Sequence, residues 1–249
     1  MKTIRLTILI FIILNSLNAQ TTVLKDKGSW LTLTNNFKLS NKFSVSNVTQ
    51  LRTVDFIQKN QAFLIQPGVS YKLNKNISVA AGYLLYTYYP NGAAHAPIKK
   101  NENRIWQNLV VNSTLGNLKL NQRFVFEQRF KDVVVQNNDN EYSIDGVSYS
   151  QRIRYRLEVT ANLIKLLDDK IIYGKLSNET RIRFGTGLTA PDFDQNNFAA
   201  LIGYQLIENS KIWVGYGRYY YKSNATKFIS NDILQLTLSY DVDFTKKQS

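Results

Sequence analysis

The sequence predicts an all-β fold, an antiparallel transmembrane barrel of ten to twelve strands with short periplasmic turns and long extracellular loops. Three observations carry that reading. The stretch LKLNQRFVFEQRFK, Leu118 to Lys131, alternates two chemistries with a period of two. Leu118, Leu120, Phe124, Phe126 and Phe130 form one face, and Lys119, Asn121, Arg123, Val125, Glu127, Arg129 and Lys131 the other. Successive side chains of a strand point to opposite faces, so this stretch is oily on one side and too charged on the other for a soluble core. Its length suits a tilted strand that crosses a bilayer in about 9–11 residues, with lipid on one side and a wet interior on the other. The second observation is that connections alternate between short and long along the chain. The third is an export-type N-terminus followed by no apolar run long enough for a spanning helix.

Taken in order, residues 1–19 have a basic start at Lys2 and Arg5, an apolar centre from Leu6 to Leu14 and a small residue at Ala19, the layout of a cleaved signal peptide. Residues 20–249 then read as one barrel domain placed in the bacterial outer membrane. Gln20–Gly28 is polar and non-periodic. Eleven runs follow that read as strands: Ser29–Ser40, Phe43–Val54, Gln61–Leu73, Ile77–Tyr89, Glu102–Ser113, Asn117–Lys131, Val147–Thr160, Ile171–Phe184, Asn197–Ile207, Lys211–Tyr221 and Asp232–Phe244. Short connections hold turn residues such as Asn41-Lys42 and Glu208-Asn209-Ser210, whereas Pro90–Asn101, Asp132–Gly146, Gly185–Asn196 and Lys222–Asn231 read as long loops. Asn162–Lys170 is irregular enough to suggest a helical turn, and Pro67 suggests a bulge. Single-chain bacterial barrels are even-stranded. The expected count is therefore twelve, with Gln20–Lys27 as a short first strand, or ten, with Ser29–Ser40 outside the ring.

Facing follows from the alternation. Ile153, Tyr155, Leu157 and Val159 point to lipid, and so do Leu234, Leu236, Leu238 and Tyr240 of the closing strand. Lys211–Tyr221 permits either assignment. Tyr86, Tyr88 and Tyr89, with Tyr219, Tyr220 and Tyr221, fall at loop-side strand ends, where interfacial aromatics belong. Composition agrees: fifteen Tyr, thirteen Phe and three Trp against four Pro favour strands. No cysteine is present, so disulfides and thiol chemistry are excluded. The formal charge is +13, and two of those charges, Lys2 and Arg5, leave with the signal. An exported basic chain meets anionic membrane surfaces or anionic solutes rather than nucleic acid. The expected partners are outer-membrane lipid and lipopolysaccharide, the barrel-assembly machinery during insertion, and small anionic solutes.

With the strands placed, the chain resembles a family of bacterial outer-membrane proteins, the domain of unknown function numbered 2490. The resemblance rests on ENRIWQN at Glu102–Asn108, RFVFEQRF at Arg123–Phe130, QRIRYRLEV at Gln151–Val159, NETRIRFG at Asn178–Gly185 and FDQNNFAALIGYQL at Phe193–Leu206, and runs from Trp30 to about Phe244. Where the family tends to carry Asn-Arg after Gln195, this chain has Asn196-Asn197. The resemblance implies the fold and brings no activity with it.

One constellation is a candidate site: Arg104, Arg123, Arg129, Arg152, Arg154, Arg156, Arg181 and Arg183 against Glu102, Glu127, Glu158 and Glu179, all on interior-facing positions. So many charges in a narrow lumen need partners, and cross-strand opposite charges supply them. Glu127 is expected among Arg123, Arg129 and arginines of the adjacent strands. The ladder reads first as a salt-bridged plug of a closed or structural barrel, and alternatively as a basic lumen that passes or holds small anions. His95 is the only histidine and has no neighbouring serine pattern, so a lipid-active enzyme is the last alternative; no enzyme, no cofactor and no metal site are expected. Asp192 and Asp194 read as a solvated turn in preference to a calcium site. Lys99 and Lys100 read as solvated loop lysines.

Overall fold

A computed structural model describes residues 21–93, 95–166, 170–185 and 188–245. The signal peptide and its Ala19 cleavage site lie outside the described residues. Among these residues eleven strands form one closed barrel and no helix occurs. They are β1 (Thr22–Lys38), β2 (Phe43–Val54), β3 (Lys59–Lys72), β4 (Ile77–Tyr88), β5 (Lys100–Leu115), β6 (Leu118–Gln136), β7 (Tyr142–Lys165), β8 (Ile171–Phe184), β9 (Asp192–Ile207), β10 (Ser210–Lys222) and β11 (Lys227–Asp243).

The expected count of ten or twelve is corrected to eleven. Gln20–Lys27 does not supply a separate strand: Thr22 to Gly28 continues directly into the run that begins at Ser29, and the whole is β1. Consecutive hairpins reverse direction at every step, so an odd ring brings its first and last strands together pointing the same way. β1 and β11 accordingly pair in parallel, from Thr22↔Lys227 to Lys38↔Asp243, while every other neighbouring pair is antiparallel. The even-strand expectation had assumed an antiparallel seam.

The connections are also shorter than expected. β6 and β7 extend toward each other as a ribbon past their neighbours, leaving 137–141 as the turn, and 223–226 joins β10 to β11. Polar residues that read as loop are accommodated because a ribbon beyond the ring is wet on both faces. The other end has tight turns. Gly116-Asn117 joins β5 to β6 with Gly116 at φ +59°, a conformation that the first central residue of a two-residue hairpin requires and glycine adopts freely. β7 runs on to Lys165 where a helical turn was expected. At Pro67 there is no bulge: the β3–β4 bridges skip Gln66 and Pro67, and the same register resumes at Gly68↔Gly82. A missing donor interrupts the ladder without shifting it.

The burial pattern is inverted relative to a soluble sheet. Leu31, Leu33, Ile105, Phe124, Ile153, Leu157, Leu176, Ile182, Ile202 and Leu234 to Leu238 at alternate positions form an exposed apolar belt, with Ile153 49% exposed, whereas Glu102 (0%) and Glu127 (1%) are inside. The outward assignments made from alternation hold for Phe124, Ile153, Leu157, Leu234, Leu236 and Leu238. β10, ambiguous in sequence, turns Trp213 and Tyr219 inward and Val214 and Tyr216 outward. Toward the middle of the barrel the interior is packed with side chains. Ala62, Leu64, Leu84, Tyr86, Trp106 and Val125 make one apolar cluster, and Trp30, Tyr219 and Ile233 another at the seam. Trp106 fits because Gly68 and Gly82 leave room: a Cβ on either would lie 2.4 Å from its ring.

Candidate functional site

Period-two alternation on β5 to β9 delivers the charged residues to one arc of the interior. The register then creates a problem, because it sets arginine opposite arginine: Arg104↔Arg129, Arg123↔Arg156, Arg152↔Arg183 and Arg154↔Arg181. Like charges in that position repel. The carboxylates resolve it by binding along diagonals and along their own strands, within reach of long guanidinium side chains. Glu102 accepts from Arg104 Nε at 2.7 Å, from Arg129 Nε at 2.5 Å and from the Tyr88 hydroxyl at 2.7 Å. Glu127 accepts from Arg152 Nε at 2.7 Å and Arg154 Nη1 at 2.6 Å, with Arg104 Nη1 at 3.7 Å. Glu179 accepts from Arg154 Nη2 at 2.9 Å, Arg181 Nε at 2.8 Å and Arg123 Nη2 at 2.9 Å.

These contacts form one continuous network, since Arg104 joins Glu102 to Glu127 and Arg154 joins Glu127 to Glu179. Asp194 closes it, accepting from Arg152 Nη1 at 2.6 Å with Arg129 Nη1 at 3.8 Å. Each carboxylate therefore bridges two or more guanidinium groups, which is what screens the opposed arginines from one another. The geometry is of the kind that offsets desolvation, with several charge-assisted bonds to each buried acid.

Most of the sequence-predicted residues are thus brought together. Arg104, Arg123, Arg129, Arg152, Arg154, Arg181, Glu102, Glu127 and Glu179 belong to the network. Arg156 and Glu158 sit toward the turn end as a looser pair, 3.6 Å apart, with Lys175 Nζ also 3.6 Å from Glu158 and Arg156 donating to Asn121 Oδ1 at 2.9 Å. Arg183 lies at the loop end, 3.4 Å from Asp192. The expected partners of Glu127 need correction in part: arginines of the adjacent strands do hold it, Arg152 and Arg154 from β7 and Arg104 from β5, whereas the same-strand Arg129 serves Glu102 and Arg123 serves Glu179. Same-strand neighbours two apart point the same way, but Glu127 extends toward β7, where the arginines converge. Asn197, at the position of the arginine in the family pattern, is buried opposite Glu179, which already has three arginines.

Sequence reasoning missed Asp194. It read as part of a loop turn, yet β9 begins at Asp192, and the β8–β9 register shifts by one between Arg181↔Gln195 and Ile182↔Phe193, leaving Asp194 as the extra residue. Because it stands an odd number of positions from the buried Asn197 and Ala199, alternation offered no signal for it. Asp192 is committed to Lys222 Nζ at 2.8 Å, so the two acids separate and neither the solvated turn nor a calcium site describes them. Among the described residues no cluster of metal-ligating side chains occurs. Tyr86, Tyr88, Tyr219 and Tyr221 were also misread. They stand at the loop end as expected, but on the parity of Leu84 and Trp213, so they face the interior. Lys100 is the first residue of β5 and faces the interior too. His95 is exposed, with Nδ1 2.8 Å from the Ala96 carbonyl oxygen.

A family model described as a protein of unknown function, DUF2490, matches residues 27–229. The chain belongs to the DUF2490 family. No curated protein and no solved structure matches it. Within the DUF2490 match fall β2 to β10 complete and all four carboxylates of the network, so the ion network lies inside the family region and not in an appendage.

Proposed function

We propose that this DUF2490 protein is an integral outer-membrane barrel whose lumen is closed by the arginine–carboxylate network, with a structural or binding role in place of solute passage. The observation that carries the reading is the inversion itself: an apolar belt outside and paired charge inside. Soluble monomers rarely expose contiguous apolar patches above a few hundred Å². The strands are 12 to 24 residues long, enough to cross a bilayer tilted and to overhang it. Its lipid partners follow from that belt, and insertion would need the assembly machinery that all such barrels use. Export through a signal peptide at 1–19 belongs to the same reading.

Closure is supported by the near-complete burial of Glu102 and Glu127 and by the apolar cluster around Trp106. A non-enzymatic role is supported by His95, whose ring has no serine hydroxyl partner among the described residues. Two measurements test the proposal. The mature chain should fractionate with outer membranes and migrate faster on gels before boiling than after; recovery as a soluble periplasmic protein would overturn it. Purified protein in planar bilayers should give no conductance, and a steady anion-selective current would establish a pore instead.

A further inference from the structure

At the loop end, beyond the network, the interior opens into a cup of about 510 Å³. That is within the size range of pockets that take a whole small ligand. Its walls differ in chemistry. Lys100, Arg129, Lys131, Arg152 and Arg183 line the side made by β5 to β8; Trp30, Tyr86, Tyr88, Tyr219 and Tyr221 line the side made by β1, β4 and β10. Asp194 is the one carboxylate in the lining, and Arg152 holds it at 2.6 Å. Lys100 and Lys131 have no carboxylate within ion-pair distance among the described residues, although both face the cup. Arg52 lies over the Trp30 ring at 3.5 Å and is bonded to Gln50 and Tyr86 rather than to an acid. On the aromatic side two buried polar atoms, Trp30 Nε1 and Asn231 Oδ1, have no hydrogen-bond partner.

A closed protein interior does not leave spare cations beside spare amides and ring faces unless something else completes them. We infer that the cup binds an acidic saccharide, its carboxylate or phosphate on Lys100 and Lys131, its C–H face on the tyrosines, and its hydroxyls on the amides of Gln61 and Asn231. Amides and tyrosine hydroxyls favour a sugar over an aromatic acid, which has no hydroxyls to offer them. The inference rests on the closed-barrel reading, because the network is the floor that makes the space a site and not a passage.

The test is calorimetric titration of the purified barrel in detergent micelles with trigalacturonate, uncharged maltotriose, benzenetricarboxylate and the deacylated core oligosaccharide of lipopolysaccharide. Trigalacturonate or the core oligosaccharide should bind at least about tenfold tighter than maltotriose and benzenetricarboxylate, and lose affinity with added salt. The tighter of the two acids identifies the source, a free acidic sugar or a lipid headgroup. Lys100→Gln with Lys131→Gln should weaken binding by about tenfold or more, and Lys100→Arg with Lys131→Arg should restore it. Heat-modifiable migration shows that each variant is folded. Equal binding of maltotriose or benzenetricarboxylate, wild-type affinity in the glutamine variant, or no binding of either acid would overturn the inference. Conductance in bilayers would refute closure while leaving these titrations to decide the cup.

Discussion

The two arcs of the barrel interior solve the same filling problem by opposite means. From β5 to β9 the space is occupied by six arginines and four carboxylates in one network, Arg104, Arg123, Arg129, Arg152, Arg154 and Arg181 with Glu102, Glu127, Glu179 and Asp194. From β10 through the seam to β2 it is occupied by Trp30, Tyr219 and Ile233, with the Trp30 and Tyr219 ring centroids 3.9 Å apart. Arg52 and Lys175 mark the borders, each placing its cation over an indole ring, at 3.5 Å on Trp30 and 3.9 Å on Trp213. The charged arc depends on completeness, since every acid serves several arginines. The aromatic arc depends on shape. Removing one member should therefore fail differently in each.

The largest effect belongs to the charged arc. Glu127→Gln removes the carboxylate that Arg152 and Arg154 share, leaving each with one acid, Asp194 or Glu179, in a largely buried site, and breaking a buried pair in this way costs about 3–5 kcal/mol. Urea titration of the folded barrel in vesicles should show that loss, and the variant should remain silent in bilayers. Glu158→Gln should cost much less, because its pairs are longer and its surroundings wetter. Equal losses at the two sites would mean that the network does not act as a unit.

Inside against outside gives the next contrast. Ile153 is on the belt between inward Arg152 and Arg154, so Ile153→Arg puts a third guanidinium on the wrong face. At a bilayer midplane this costs about 2–4 kcal/mol. An unchanged unfolding midpoint would reverse the assignment of faces.

A smaller effect is expected on the apolar side. Gly82→Ala puts a methyl 2.4 Å from the Trp106 ring and 2.3 Å from the Pro67 carbonyl oxygen, and such overpacking typically costs about 1–3 kcal/mol. Substituting Trp106 with Phe in the same chain should recover part of the loss; no recovery would place the strain in the backbone instead.

The charged arc was legible in sequence because Arg152 to Val159 and Glu179 to Phe184 alternate charged and uncharged residues without a break, and alternation alone fixes the face. The aromatic arc was not, since TYYP and GYGRYYYK carry large rings at successive positions and no polar–apolar contrast remains to choose a side. Asp194 and the choice of arginines around Glu127 share another cause. Which strand position faces inward is a local property, whereas which arginine reaches which acid depends on register between β6, β7 and β9, which the sequence does not print. The strand count failed for a third reason: the eleven runs were visible, and a parity rule about antiparallel closure displaced them.

That parallel closure invites the last comparison, seam against interior. β1 and β11 meet along their whole shared length, from Thr22↔Lys227 to Lys38↔Asp243, and at the turn end Lys38 Nζ donates to Asp243 Oδ2 at 2.9 Å. Parallel pairing is slightly weaker per residue than antiparallel pairing, so the ion pair looks like a clasp. Exposure argues otherwise. The Lys38 side chain is 38% exposed and that of Asp243 27%, in contrast to the buried acids of the network. A pair so open to water and salt contributes little. Asp243→Asn should therefore leave the unfolding midpoint almost unchanged, and the more so in high salt, because the seam is held by its ladder and by the packing of Trp30 and Ile233 behind it. A loss approaching that of Glu127→Gln in the same urea titration would show that the ring is locked at its edge and not from within.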